Sequence, residues 1–322
     1  MTLAICAAAT FCGVAISLHI ASILAAAVRC RTRAAHEPPP PGAPPVTLIR
    51  PVCGLDNFVE ETLRSSFDLD YPGYELIFCV ASARDPVARL VKDLIAAHPH
   101  ADAKLLIGNE TICANPKLNN CVKGWRAAAH SWIVLADSNV LMPRDYIQRL
   151  LATWRHDTGL VCSPPIGGRP HGFWAELECA FLNAYQARWQ YFADTVGLGF
   201  AQGKTMLWRR DDLERAGGIR ALGAEVAEDA ASTKVVRAAG LSVHLVDTPF
   251  EQPLGRRGAR EVWQRQVRWA RLRRACFIGY YAPEILAGGA FPLAGVAFLA
   301  AQAEVSVLAS LLAAATVWYG AE

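Results

Sequence analysis

Two long apolar stretches bracket a middle in which short apolar runs alternate with segments of helical spacing. Leu3 to Val28 carries no Asp, Glu, Lys or Arg. At about 1.5 Å per residue it reaches roughly 39 Å, enough to cross a hydrocarbon core of about 30 Å with some tilt. A cleaved signal peptide is the rival reading. However, no positive residue precedes the run, and it outlasts the usual apolar segment of such peptides. Arg29, Arg31 and Arg33 follow at once, and the positive-inside rule then puts everything downstream in the cytosol. EPPPPGAPP, residues 37–45, reads as a stiff spacer. At the far end, residues 280–319 are again apolar, broken by Glu284, Pro292, Gln302 and Glu304. Two short membrane helices, a re-entrant hairpin and a buried helical pair all fit that pattern.

Between these ends the pattern predicts an α/β domain. Val46-Thr-Leu-Ile is an apolar run expected to stop at Pro51, followed by a helical NFVEETLRSSF. YELIFCVA, AKLLIG, SWIVLAD and TGLVCSPP read as further buried strands, and Pro86 is placed to open a helix through Val91 and Leu94. Such alternation argues for a mostly parallel sheet with flanking helices, whose ligands bind beyond the carboxyl ends of the strands. Ala175 to Phe192 is expected to form one helix with Leu177, Phe181, Tyr185 and Trp189 along a stripe. Gly255 to Arg274 is expected to form a basic helix, suited to anionic headgroups at about 1 kcal/mol per basic residue.

Composition narrows the class. A net charge of only +3 over 322 residues points away from nucleic acid. The ten cysteines are scattered without a CxxC pair, so reduced thiols are expected rather than a disulfide scaffold or zinc site.

Three aspartates fall at strand ends or at a turn into a helix: Asp85 in SARDP, Asp137 in LADSN and Asp229 in VAEDAAS. Singly, each is an ordinary turn or cap residue. Together at one sheet edge they suit transfer of a sugar from a nucleoside diphosphate. One acid holds the nucleoside, another a divalent metal beside the leaving diphosphate, and a third takes the proton of the attacking hydroxyl. Lys117 in NPKLNN, with Arg265 and Arg268 in RQVRW, are candidates for the diphosphate clamp.

The ordered set RPVCGLDN, LDYPGYELIFCVASARDP, LLIGNETICANPKLNN, LADSNV, GLVCSPP, AGGIRALGAEVAEDAAS and RQVRW resembles the ceramide glucosyltransferases. These are inverting transferases of the GT-A type, related to cellulose and chitin synthases. The resemblance runs from about Val46 to Arg274. It implies a membrane anchor over 1–28, a linker over 29–45, a cytosolic catalytic domain over 46–274 and a membrane-associated region over 275–322. It further implies that Asp85 lies by the nucleotide, that Asp137 holds nucleotide phosphate through Mg²⁺ or Mn²⁺, and that Asp229 is the general base. Lys117 and Asn119 match the family's NPKxxN, and Arg265, Arg268 and Trp269 its (Q/R)xxRW on the acceptor and diphosphate side. The implied donor is UDP-glucose or a related UDP-hexose, and the implied acceptor is a lipid of the bilayer, ceramide first. Two departures stand out. Asn139 occupies the place of a second acid in many relatives, and Gln186 stands near where the animal enzymes carry a histidine. A hopanoid, diacylglycerol or polyprenyl phosphate acceptor, or an inactive scaffold on the same fold, are the alternative expectations.

Overall fold

A computed structural model of the chain describes residues 2–31, 38–39, 42–286 and 288–320. Arg33 and much of the proline spacer lie outside the described residues. The chain divides into two compact units, Arg29–Arg265 and the combination of Met1–Val28 with Gln266–Glu322.

In the larger unit the chain first lays down β1 (Val46–Val52), α2 (Val59–Arg64), β2 (Tyr74–Val80), α3 (Val87–Ala97) and β3 (Ala103–Ile107). These follow α1 (Thr2–Arg31), whose last turn alone belongs here. There follow α4 (Pro116–Ala127), β4 (Trp132–Ala136), α5 (Tyr146–Ala152), β5 (Thr158–Cys162) and β6 (Pro165–His171). The remainder is α6 (Phe173–Ala180), a π-helical segment (Phe181–Ala187), α7 (Arg188–Thr195), β7 (Thr205–Arg209), α8 (Arg210–Arg215), a 3₁₀ turn (Gly218–Gly223), α9 (Glu228–Ala238), β8 (Ser242–Leu245) and β9 (Phe250–Arg256). The helix α10 (Ala259–Cys276) begins in this unit and continues into the other.

Seven strands form one sheet in the order β3-β2-β1-β4-β7-β5-β8. All neighbours are parallel except those of β7, which runs antiparallel to both β4 and β5. The mostly parallel sheet expected from the sequence is therefore present. The reversed β7 brings its first residue, Thr205, opposite Ala136 at the carboxyl end of β4. A separate ribbon pairs β6 with β9.

Pro51 does not stop β1, contrary to the sequence expectation, because the strand runs on to Val52. Its pairing with β4 ends at Ile49, so beyond that point the missing proline N–H leaves no partner carbonyl wanting. The helix expected over 175–192 is present, running without a break from Phe173 to Thr195, but its middle, Phe181–Ala187, is wound as a π-helix. Such wide turns are rare and concentrate at functional sites.

The helix α4 packs unusually close to the sheet. A Cβ on Gly124 would lie 2.7 Å from Ile49 Cγ2 and 2.8 Å from Cys79 Sγ, both wholly buried.

The second unit is helical: the apolar length of α1, then α11 (Ile278–Leu286), α12 (Ala290–Gln302) and α13 (Val307–Gly320) after the end of α10. Among the described residues α1 is the one helix long and apolar enough to cross a membrane. At about 1.5 Å per residue α12 and α13 span only roughly 20 Å each. Within this unit the ring of His19 stacks on Trp318 with centroids 4.0 Å apart, and His19 Nε2 lies 2.8 Å from Trp318 O.

Gly124→Ala should lower the urea midpoint of the detergent-solubilised protein. The helical preference for Ala, about 1 kcal/mol, is outweighed by overpacking of about 1–3 kcal/mol against two immobile neighbours. An unchanged or higher midpoint would show slack between α4 and the sheet.

Candidate active site

The sheet delivers four segments to one edge: the loops after β1, β2 and β4, and the chain entering β7. Arg50, wholly buried within β1, fixes the turn after β4. Its guanidinium donates to Asp137 O at 2.8 Å and Val140 O at 2.9 Å, and to Thr62 O and Ser66 Oγ on the other side. Burial lowers its pKa to about 10, opposed by Tyr146 and Asp137, so it stays charged at neutral pH.

Lys117, in the first turn of α4, joins the pieces. Asn115 caps that helix by accepting from the N–H groups of Lys117 and Leu118, and Pro116 enters at the first helical position. The ammonium then uses all three of its protons: toward Asp137 Oδ1 at 2.5 Å, Glu228 Oε1 at 2.7 Å and Gly203 O at 2.5 Å. Burial alone would depress its pKa, but the two carboxylates outweigh burial and hold it well above an ordinary lysine.

Asp137 Oδ2 also faces Lys204 Nζ at 3.0 Å, and Lys204 Nζ lies 3.2 Å from Asn139 Oδ1. Burial would raise the Asp137 carboxyl; the two lysines win and bring it down to about 2. Asp137 and Asn139 thus already direct two hard oxygens at one cation, the Lys204 ammonium. The described residues contain no cluster of three or more His, Cys, Asp or Glu side chains suited to a metal. Two protein oxygens still fit a divalent ion that draws its remaining ligands from phosphate and water, as Mg²⁺ commonly does.

Asp229 stands on the opposite side of the Lys117 cluster, in the first turn of α9. Its carboxylate accepts from Gly203 N at 3.2 Å and Ala230 N at 2.8 Å, and protein crowds it while one face stays partly open. Burial first, and then the charge of Glu228, push its pKa up to about 6 against the pull of Lys117 and the two backbone donors. An Asp in solution titrates near about 3.9. Gly203 is what allows the close meeting: a Cβ there would lie 2.8 Å from Glu228 Oε1 and 3.3 Å from Lys117 Nζ.

The remaining sequence candidates fall elsewhere. Asp85 accepts from Gly54 N at 3.0 and 3.1 Å and from Val87 N at 3.0 Å, tying the loop after β1 to the start of α3. No hydrogen bond or ion pair joins it to the Lys117 cluster among the described residues. Asn119 is buried and spends its amide on Ile112 N, Cys113 N and Cys113 O, so it braces that loop. Arg265 Nη1 lies 3.0 Å from Glu178 and Nη2 2.9 Å from Glu261. Arg268 and Trp269 lie on α10 beyond Gln266, in the second unit.

Sequence reasoning missed Glu228, Lys204, Asn115, Gly203 and Glu178. Glu228 was signalled by the doubled acid of EDAA and Asn115 by its place before a proline. Nothing in the linear pattern marked Lys204 or Gly203, whose roles come from β7 running backwards.

The sequence profile of glycosyl transferase family 21 matches residues 14–322. The chain is 29% identical over 239 residues to ceramide glucosyltransferase 1 of Caenorhabditis elegans, covering 74% of this chain and 51% of that one. It is 41% identical over 107 residues to the ceramide glucosyltransferase of Komagataella phaffii, covering 32% of this chain and 21% of the relative. The chain thus spans about half the length of the nematode relative. A mannosyltransferase from Pyrobaculum calidifontis, solved with GDP-Man and Mn²⁺, shares the fold at a TM-score of 0.59 and 18% identity, over 98% of this chain and 99% of its own.

The raised pKa of Asp229 has a sign that can be checked. Between about pH 4 and 6 the folded state holds a proton that the unfolded state has lost, so stability falls as pH rises through that window. The unfolding free energy of Asp229→Asn relative to wild type, read from urea titrations, should therefore climb from pH 4 to pH 7 by on the order of 2 kcal/mol. A constant difference across that range would mean that Asp229 is not desolvated.

Proposed function

The chain belongs to glycosyl transferase family 21, and on that premise we propose that it transfers glucose or a related hexose from a UDP-sugar to a hydroxyl of ceramide or a similar membrane lipid, with inversion. The observation that carries this reading is the pairing of a partly open carboxylate pushed up to about 6 with a lysine-rich cluster, separated only by the backbone of Gly203.

A base with pKa about 6 is roughly nine-tenths ionised at pH 7, yet basic enough to accept a proton as the hydroxyl loses it. In the proposed step the lipid oxygen attacks the anomeric carbon while its proton passes to Asp229. The bond from that carbon to the diphosphate oxygen breaks, and UDP departs from the opposite face. Lys204 sets an ammonium beside that departure, while Lys117, its three protons spent within the protein, ties Asp137 and Glu228 into one frame. A Mg²⁺ or Mn²⁺ ion held by Asp137 and Asn139 would further offset the charge of the leaving diphosphate.

Asp85, through its hold on the loop at Gly54, is assigned to the nucleotide side, with Lys117 beside the diphosphate and Asn119 as a brace. Arg265, Arg268 and Trp269 are assigned to the diphosphate and acceptor side. The names of the nematode and yeast relatives support ceramide, and the apolar α1 followed by Arg29 and Arg31 supports a bilayer enzyme whose catalytic unit faces the cytosol. Gln186, on the π-helical segment, favours keeping a second acceptor class in the assay: hopanoid, diacylglycerol or polyprenyl phosphate.

The test is mass spectrometry of lipids after incubating the full chain in detergent with UDP-glucose, Mg²⁺ or Mn²⁺ and each acceptor. A β-hexosylceramide is expected. A product on another lipid alone would move the acceptor, and no use of any UDP-hexose would revive an inactive scaffold. Asp229→Asn should melt cooperatively yet lose about 10²- to 10⁴-fold in turnover. In the wild type kcat/KM should fall about tenfold per unit below pH about 6, as the base takes up its proton. A profile flat to pH 4.5 would remove Asp229 from the role.

A further inference from the structure

Glu178, on α6, has no exposed surface, and its side chain faces the Arg265 guanidinium at 3.0 Å. Arg265 is held from a second side by Glu261, which also takes Arg257 at 2.7 Å. Arg257 in turn makes a two-pronged pair with Asp56 at 2.9 and 3.0 Å. The result is an alternating line of carboxylate and guanidinium: Asp56, Arg257, Glu261, Arg265, Glu178. It starts in the loop after β1 that Asp85 grips at Gly54 and ends inside α6.

The two carboxylates on Arg265 are not equivalent. Glu261 is one turn earlier on the same helix and 43% exposed, so that pair is screened by water and travels with α10 wherever α10 goes. Glu178 comes from a different element and is sealed from solvent; among the described residues neither of its oxygens has a hydrogen-bond partner, so its 3.0 Å ion pair with Arg265 is the charge compensation it has close by. Burial pushes the Glu178 carboxyl above its ordinary range, with Arg265 foremost among the cations opposing this and Lys204 among them. Lys204 is also the partner of Asp137 and Asn139. A buried ion pair is weak evidence for stability as such, since an apolar pair of like volume commonly serves as well.

We propose that Glu178 is a positioning residue for glycosyl transfer, holding Arg265 where the charge of the departing diphosphate develops. This rests on the reading of Arg265 as a diphosphate-side residue. A guanidinium that must meet phosphate oxygens in fixed geometry gains from being placed beforehand, because reorienting it during the step costs rate.

The test compares Glu178→Gln, Arg265→Gln and the double variant as full chains in detergent with Mn²⁺, reading kcat and KM for UDP-glucose and the affinity for UDP alone. Glu178→Gln should lower kcat by on the order of ten- to a hundredfold, while KM for the donor moves less than about threefold. The double variant should match Arg265→Gln alone, since nothing is left to position. Losses that add in full, or a Glu178→Gln enzyme as fast as wild type, would overturn the proposal. Should Glu178→Gln fail to melt cooperatively, Glu178→Asp, which keeps the charge but shortens its reach, is read the same way against Arg265→Gln. A wild-type chain that neither binds UDP nor turns over a UDP-hexose overturns the parent reading and takes this proposal with it.

Discussion

The site hangs on one ammonium group. Lys117 reaches from the first turn of α4 to Asp137 after β4, Glu228 at the start of α9 and the backbone of Gly203 before β7. Four chain segments that are distant in sequence therefore meet at one part-buried cation, two of them bringing carboxylates and one a backbone carbonyl. The cluster accordingly behaves as one piece, and Asp229 is set against it by the same Gly203 peptide that Lys117 grips.

That arrangement separates two neighbouring acids chemically. Glu228 pairs directly with Lys117 and Asn115, whereas Asp229, one residue on, feels Lys117 only at a distance and is left with two backbone donors against burial and the repulsion of Glu228. Asp137, by contrast, has two lysines and is held down near about 2. Acids drawn from one sheet edge thus span several pKa units because their counter-charges are distributed unevenly. The proximity of helix α9's N-terminus to both Glu228 and Asp229 works in the same direction for each, so it does not distinguish them.

Much of this was legible in the chain itself, for identifiable reasons. Continuous apolar runs such as YELIFCV and SWIVLA mark strands buried on both faces, and the acids following them sit where a parallel sheet exposes its carboxyl ends. What stayed hidden depends on direction and depth. TMLWR carries no sign that it runs against its neighbours, yet that reversal delivers Gly203 and Lys204 to the site. The apolar stripe around Phe181 fits an ordinary helix equally well, so the π-helical turn leaves no trace in the spacing. The burial of Asp229, which moves its pKa, is a property of the assembled neighbours rather than of EDAA.

The stack of His19 on Trp318 joins residues 299 positions apart in the chain. Ribosomes add roughly 5–20 residues per second, so the ring that meets His19 is made about 15–60 s after it. His19 is therefore in place long before the ring it stacks on exists. Within the helical unit the loss of either ring removes half of the same contact, however far apart the two are made.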